Sequence, residues 1–125
     1  MIILHNAKYF LHWGFNFYQD YLSYNYVDPF VNSDSGGIFP SGDAFIVYPD
    51  VNKKKAFSSI RLEALRYGKD ILALLYTLEK VTSREYVVEK LTKLGVEKYN
   101  VYPHDRGWLK RLEKDLYKDI LRHAE

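Results

Sequence analysis

A chain of 125 residues with a formal charge of +2 is long enough for one core. It is far short of the roughly 250 residues of a complete (β/α)8 barrel. It holds no cysteine, which excludes disulfides and thiolate zinc sites, and no apolar run approaches the ~18 residues of a membrane span.

Hydrophobic content of 47% and charged content of 27% are ordinary for a globular protein, but both are unevenly spread. Thirteen of the 21 aromatics fall in residues 1–50. The same stretch has one Lys and five Asp, net −4, whereas residues 51–125 have 17 Lys and Arg against 11 Asp and Glu, net +6. An acidic, aromatic front half is a poor nucleic-acid surface, because phosphates need cations. It suits carbohydrate, since aromatic faces cover the C–H face of a sugar while amides and carboxylates bond its hydroxyls. The rear half is mixed in sign along its helical stretches and reads as solvated faces. Neither a nucleic-acid nor a membrane partner is expected. Met1-Ile2-Ile3-Leu4 has no basic region and no small-residue cleavage site, so no signal peptide is expected, and the compartment stays open.

In chain order, residues 8–14 read as a strand, with Tyr9, Leu11 and Trp13 on one side and Phe10 and His12 on the other. Apolar residues on both faces suggest a parallel strand buried on both. Residues 15–43 are a long connection, helical for a turn around Tyr18, Tyr21, Leu22 and Tyr26, then dense in Asn, Ser, Asp and Gly. Connections of this length are functional or disordered, and the aromatics argue against disorder. Residues 44–48 read as a second strand ended by Pro49, and the triple Lys of 50–55 as a solvated turn. Ser58 or Ser59 caps a helix whose stripe is Ile60, Ala64, Tyr67, Ile71, Leu75 and Leu78, interrupted by Gly68. Thr82-Ser83-Arg84-Glu85 reads as a capping box, and Gly95-Val96 as a Schellman stop. Asp105 is placed to cap a last helix carrying Leu109, Leu112, Leu116 and Ile120.

Candidate chemistry is sparse. Trp13 and Asn16 stand at the end of the first strand, open to two readings: a ligand-facing pair, or a core indole beside a turn amide. Asp28, Asp34 and Asp43 are candidate carboxylates inside the long connection; a pair could serve glycoside hydrolysis, while turn chemistry explains Asp34 better. His5, His12, His104 and His123 lack metal-ligand spacing, and His12 reads as a hydrogen-bonded core residue. Arg61, Glu63, Arg66 and Asp70 read as ion pairs along a helix. Neither a metal nor a cofactor is implied.

Leu11-His12-Trp13-Gly14-Phe15-Asn16-Phe17-Tyr18, Asp28-Pro29, Gly36-Gly37-Ile38-Phe39-Pro40-Ser41-Gly42-Asp43, Ile46-Val47-Tyr48-Pro49, Ser58-Ser59-Ile60-Arg61-Leu62-Glu63 and Arg66-Tyr67-Gly68-Lys69-Asp70 follow one another in order. Together they resemble the C-terminal part of the catalytic domain of glycoside hydrolase family 123 and its uncharacterised relatives, over about residues 8–80. Residues 81–125 resemble the helical tail of such proteins only loosely.

The resemblance implies an α/β fold, the C-terminal fragment of a (β/α)8 barrel, with about two strands, a long loop and three to four helices. The chain is then a single domain, 1–125, made of a closing strand-loop-strand-helix part, 8–80, and a helical tail, 81–125. In that family an Asp-Glu pair works on N-acetyl-β-galactosaminides: the Asp orients the substrate's own acetamido oxygen as nucleophile and the Glu is general acid and base. This sequence has no Asp-Glu dipeptide, so no catalytic residue is carried over. What carries over is a pocket wall: Trp13, Asn16 and Tyr18 from the first strand end, Asp28 from the loop, and Asp43 and Tyr48 around the second strand. The expected function is the C-terminal portion of an N-acetyl-β-galactosaminidase-like enzyme, inactive alone, partnered by an N-acetylhexosamine-containing glycan and an upstream barrel half. The alternative is a non-catalytic remnant that binds glycans or associates with its own copy.

Overall fold

The computed structural model describes residues 2–124, an α/β chain of two short strands and three helices. The elements are β1 (Tyr48–Asp50), β2 (Lys55–Phe57), α1 (Ile60–Val81), α2 (Arg84–Lys93) and α3 (Trp108–His123). They belong to two compact units: residues 1–10 with 67–125, and residues 11–66. The boundary falls inside α1.

The helical unit has a conventional core. Ile71, Leu75 and Leu78 of α1, Val87 and Leu91 of α2, and Leu112 and Leu116 of α3 are buried together with Ile3 and Val96. Each such side chain contributes roughly 1.5–3 kcal/mol by leaving water. Ser83 caps α2 by accepting the Tyr86 N–H at 3.1 Å. The capping residue is therefore one position later than the expected Thr82, whose hydroxyl is spent on the Leu78 carbonyl at the end of α1. The stop of α2 is a complete Schellman motif: Val96 N–H to Leu91 O at 3.0 Å, Gly95 N–H to Thr92 O at 2.9 Å, and φ of +84° at Gly95. Asp105 does not cap α3. The N-cap position is Gly107, and Asp105 instead ties Gly107 N–H and the Arg111 guanidinium on the approach to it. Asp119 of α3 is 8% exposed and receives the Lys90 ammonium at 2.8 Å and the Tyr86 hydroxyl at 3.2 Å. Burial pushes its carboxyl up, but these partners and Arg122 together hold it below the ordinary range.

The unit of residues 11–66 is irregular. Residues 8–14 do not form the expected strand. They make no backbone–backbone hydrogen bond among the described residues, and Tyr9, Phe10 and Leu11 are exposed. The apolar run from Ala44 to Val47 is buried as expected, but it is not a parallel strand. It pairs antiparallel with Phe15–Phe17, through Ile46 N–H to Phe15 O at 2.8 Å and Phe17 N–H to Ala44 O at 3.0 Å. Regular pairing begins only at Tyr48 and runs through Pro49, which the sequence reading takes as a stop. There β1 and β2 form an antiparallel hairpin in the register Tyr48↔Phe57. Its turn is the expected Lys-rich one, with Lys54 at φ +51° and Asp50 accepting the Lys53 N–H.

Candidate functional site

The site grows from one close approach of backbone. A Cβ on Gly14 would lie 2.2 Å from the Asp43 carbonyl oxygen and 2.8 Å from the Ala44 Cα, so only glycine lets the two segments meet. That contact brings Asp43 beneath Trp13. The indole N–H donates to Asp43 Oδ2 at 3.0 Å, while His12 Nε2 stands 3.6 Å from Oδ1. His12 Nδ1 accepts the Gly14 N–H at 3.1 Å, which assigns the ring proton to Nε2, toward Asp43. His12 is thus a partner of the same carboxylate as Trp13, not a core residue on the opposite face.

Trp13 itself is 49% exposed, which weighs against a core indole. It packs against Phe39 and Phe17, with ring centroids 4.6 and 5.6 Å away. Tyr18 gives its hydroxyl to the Val47 carbonyl at 2.7 Å, is half-buried, and has its ring centroid 6.0 Å from that of the buried Phe45. Burial, then the neighbouring Tyr26 and Tyr48, push its phenol up.

Residues 18–27 form a hairpin-like arm rather than the expected helical turn. Val27 N–H bonds Tyr18 O at 3.1 Å, Gln19 bridges Tyr26, and Asp20 N–H bonds Asn25 O at 3.0 Å. Asp20 clasps its turn: its carboxylate accepts Asn25 Nδ2 at 2.8 Å and Tyr24 N–H at 2.9 Å. The same two bonds, Asn25 first, hold its carboxyl below the ordinary range.

Between this arm and the Trp13 segment lies an open cleft of about 490 Å³, lined by Trp13, Asn16, Phe17, Tyr18, Gln19, Tyr24, Asn25 and Tyr26. The structure therefore brings three of the expected site residues together: Trp13, Asn16 and Tyr18. It leaves Asp28, Asp43 and Tyr48 outside the lining. Asp28 is an exposed turn residue whose carboxylate accepts the Phe30 N–H at 2.9 Å. Asp43 acts from behind, through Trp13. Tyr48 accepts the Arg61 guanidinium at 2.9 Å, and the same nitrogen donates to the Phe45 carbonyl at 3.0 Å. Tyr24, Asn25 and Tyr26 are lining residues the sequence reading missed. The alternation of aromatic and amide after Asp20 was the available signal. Among the described residues no group of three His, Asp or Glu is gathered to hold a metal ion.

An α/β chain with an open, uncharged cleft of aromatic rings and amides is the class that fold and site define. Residues 1–78 match the family model described as Glycoside hydrolase 123, catalytic domain, and the chain belongs to that family. Among curated proteins none matches this chain.

Proposed function

We propose that this chain is the C-terminal portion of a glycoside hydrolase of the N-acetyl-β-galactosaminidase type, contributing a wall of the sugar pocket and inactive alone. The observation that carries the reading is the convergence of Trp13, Asn16 and Tyr18 on one open cleft. Rings there cover a sugar face, and the Asn16, Gln19 and Asn25 amides offer both donors and acceptors for hydroxyl and acetamido groups. Membership in the family supports the sugar chemistry. Inactivity follows from what the sequence lacks, since acid catalysis and oriented attack need positioned groups and no Asp-Glu pair is present. In this reading the chain supplies the closing part of a (β/α)8 barrel, and an upstream half supplies the catalytic pair.

The test is a titration of the full chain with N-acetylgalactosamine, followed by tryptophan fluorescence in a Trp108→Phe background so that Trp13 reports alone. That background should fold, because the buried Trp108 indole N–H has no partner among the described residues. A saturable shift, lost in Trp13→Ala with the fold intact by circular dichroism, is the expected result. A flat titration defeats the pocket wall. A chromogenic N-acetyl-β-galactosaminide should not be turned over by the chain alone. Turnover abolished by Asp28→Asn or Asp43→Asn would overturn the assignment of no catalytic residue.

The second reading, a non-catalytic module that binds glycans or its own copy, is favoured by exposed apolar side chains such as Tyr24, Val31 and Ile38. Activity that appears on mixing with a separately produced Asp-Glu-bearing barrel half separates the two.

A further inference from the structure

We infer that the cleft takes uncharged N-acetylhexosamine units and rejects sugars bearing sulfate or carboxylate, with Asp20 and Asp43 as the residues that set this preference. The inference rests on the pocket-wall reading above and goes on to name the ligand class. Its basis is the charge of the segment that builds the cleft. Residues 11–50 contain five Asp and neither Lys nor Arg. All eight lining residues are uncharged. Two of the carboxylates stand one hydrogen bond behind the lining, Asp43 on the Trp13 indole at 3.0 Å and Asp20 on the Asn25 amide at 2.8 Å.

The cations of this unit stand outside the lining. Lys53, Lys54 and Lys55 lie in or beside the β1–β2 turn, outside the lining. Arg61 is held by the Phe45 carbonyl and the Tyr48 hydroxyl, and Arg66 pairs with Glu63 at 3.3 Å. His12 has one ring nitrogen on the Gly14 N–H and the other facing Asp43. An anionic ligand would therefore lose hydration without meeting a counter-charge, and would approach two carboxylates within the reach of their field. A neutral sugar suffers neither cost. Its hydroxyls meet amides, and its C–H face meets rings.

The experiment compares N-acetylgalactosamine with N-acetylgalactosamine 6-sulfate, titrated into the 125-residue Trp108→Phe chain at low and high salt. The sulfated sugar should bind roughly tenfold more weakly at low salt, and the gap should narrow as salt shortens the ~8–10 Å range of the carboxylates' field. Asp43→Asn and Asp20→Asn remove the charge but keep an amide that can still hydrogen-bond, so each should narrow the gap at low salt. Two variants are used so that a folding defect in one, visible by circular dichroism, leaves the other as the test. Equal binding of both sugars overturns this inference and leaves the pocket wall standing. So does a gap that ignores both salt and substitution. Failure of both sugars to bind overturns the pocket wall itself, and the inference with it.

Discussion

Asp43 shows how one side chain can serve a site without facing it. Its two oxygens are turned toward the Trp13 indole and His12, and the carboxylate reaches the cleft only through the ring it orients. The sequence held the pieces, His12-Trp13-Gly14 and Gly42-Asp43, but not their contact. That contact depends on a backbone approach of residues some thirty positions apart, which no local pattern encodes. Gly14 is the residue that permits it, so Gly14→Ala should be destabilising well beyond an ordinary surface change. With a Cβ driven against backbone rather than a flexible side chain, about 1–3 kcal/mol is expected. Urea unfolding checks this, and an unchanged midpoint would remove the close approach as a structural determinant.

At the scale of elements, helices were legible and strands were not. The helical stripes come from local spacing, and Leu75, Leu78, Leu91, Leu112 and Leu116 are buried as the period requires. Ile60 and Ala64 of α1 and Leu109 of α3 are exposed instead, and the first two belong to the unit of residues 11–66 rather than to the helical one. The Schellman stop was legible because glycine in a left-handed conformation followed by an apolar residue is a local signature. Strand identity depends on a partner, and the apolar run at 8–14 has none among the described residues. Gly68, by contrast, has neither a close neighbour nor a positive φ; it sits exposed in the middle of α1. Gly68→Ala should therefore stabilise the protein by roughly 0.5–1 kcal/mol, since alanine loses less backbone entropy in a helix. Thermal melting decides, and a lower midpoint would mean that the glycine has a packing role.

At the scale of the whole chain, the exposed apolar inventory is large for its size. Tyr9, Leu11, Tyr24, Val31, Val51 and Ile60 are each more than four-fifths exposed. Isolated cases need no explanation, but so many on a short chain favour association. The full chain should self-associate at micromolar to millimolar concentrations, as sedimentation velocity over a concentration series would show. A single monomer peak throughout is the result that contradicts it. Bringing in an upstream barrel half should compete with that self-association if both use the same surface.

The buried run Ala44–Val47 is short, apolar and free of charge, the composition of a strand prone to pair with strangers. Yet all four of its carbonyls are already taken: Ala44 by the Phe17 N–H, Phe45 by Arg61, Ile46 by the Ser59 hydroxyl and Val47 by the Tyr18 hydroxyl. Three of those four donors are side chains, which satisfy an acceptor without presenting a further row of backbone for the next strand. The seam is plugged rather than extended. Losing Tyr18, Ser59 or Arg61 would thus do more than delete a contact, for it would reopen a templating edge on the stretch of chain best suited to recruit a stranger.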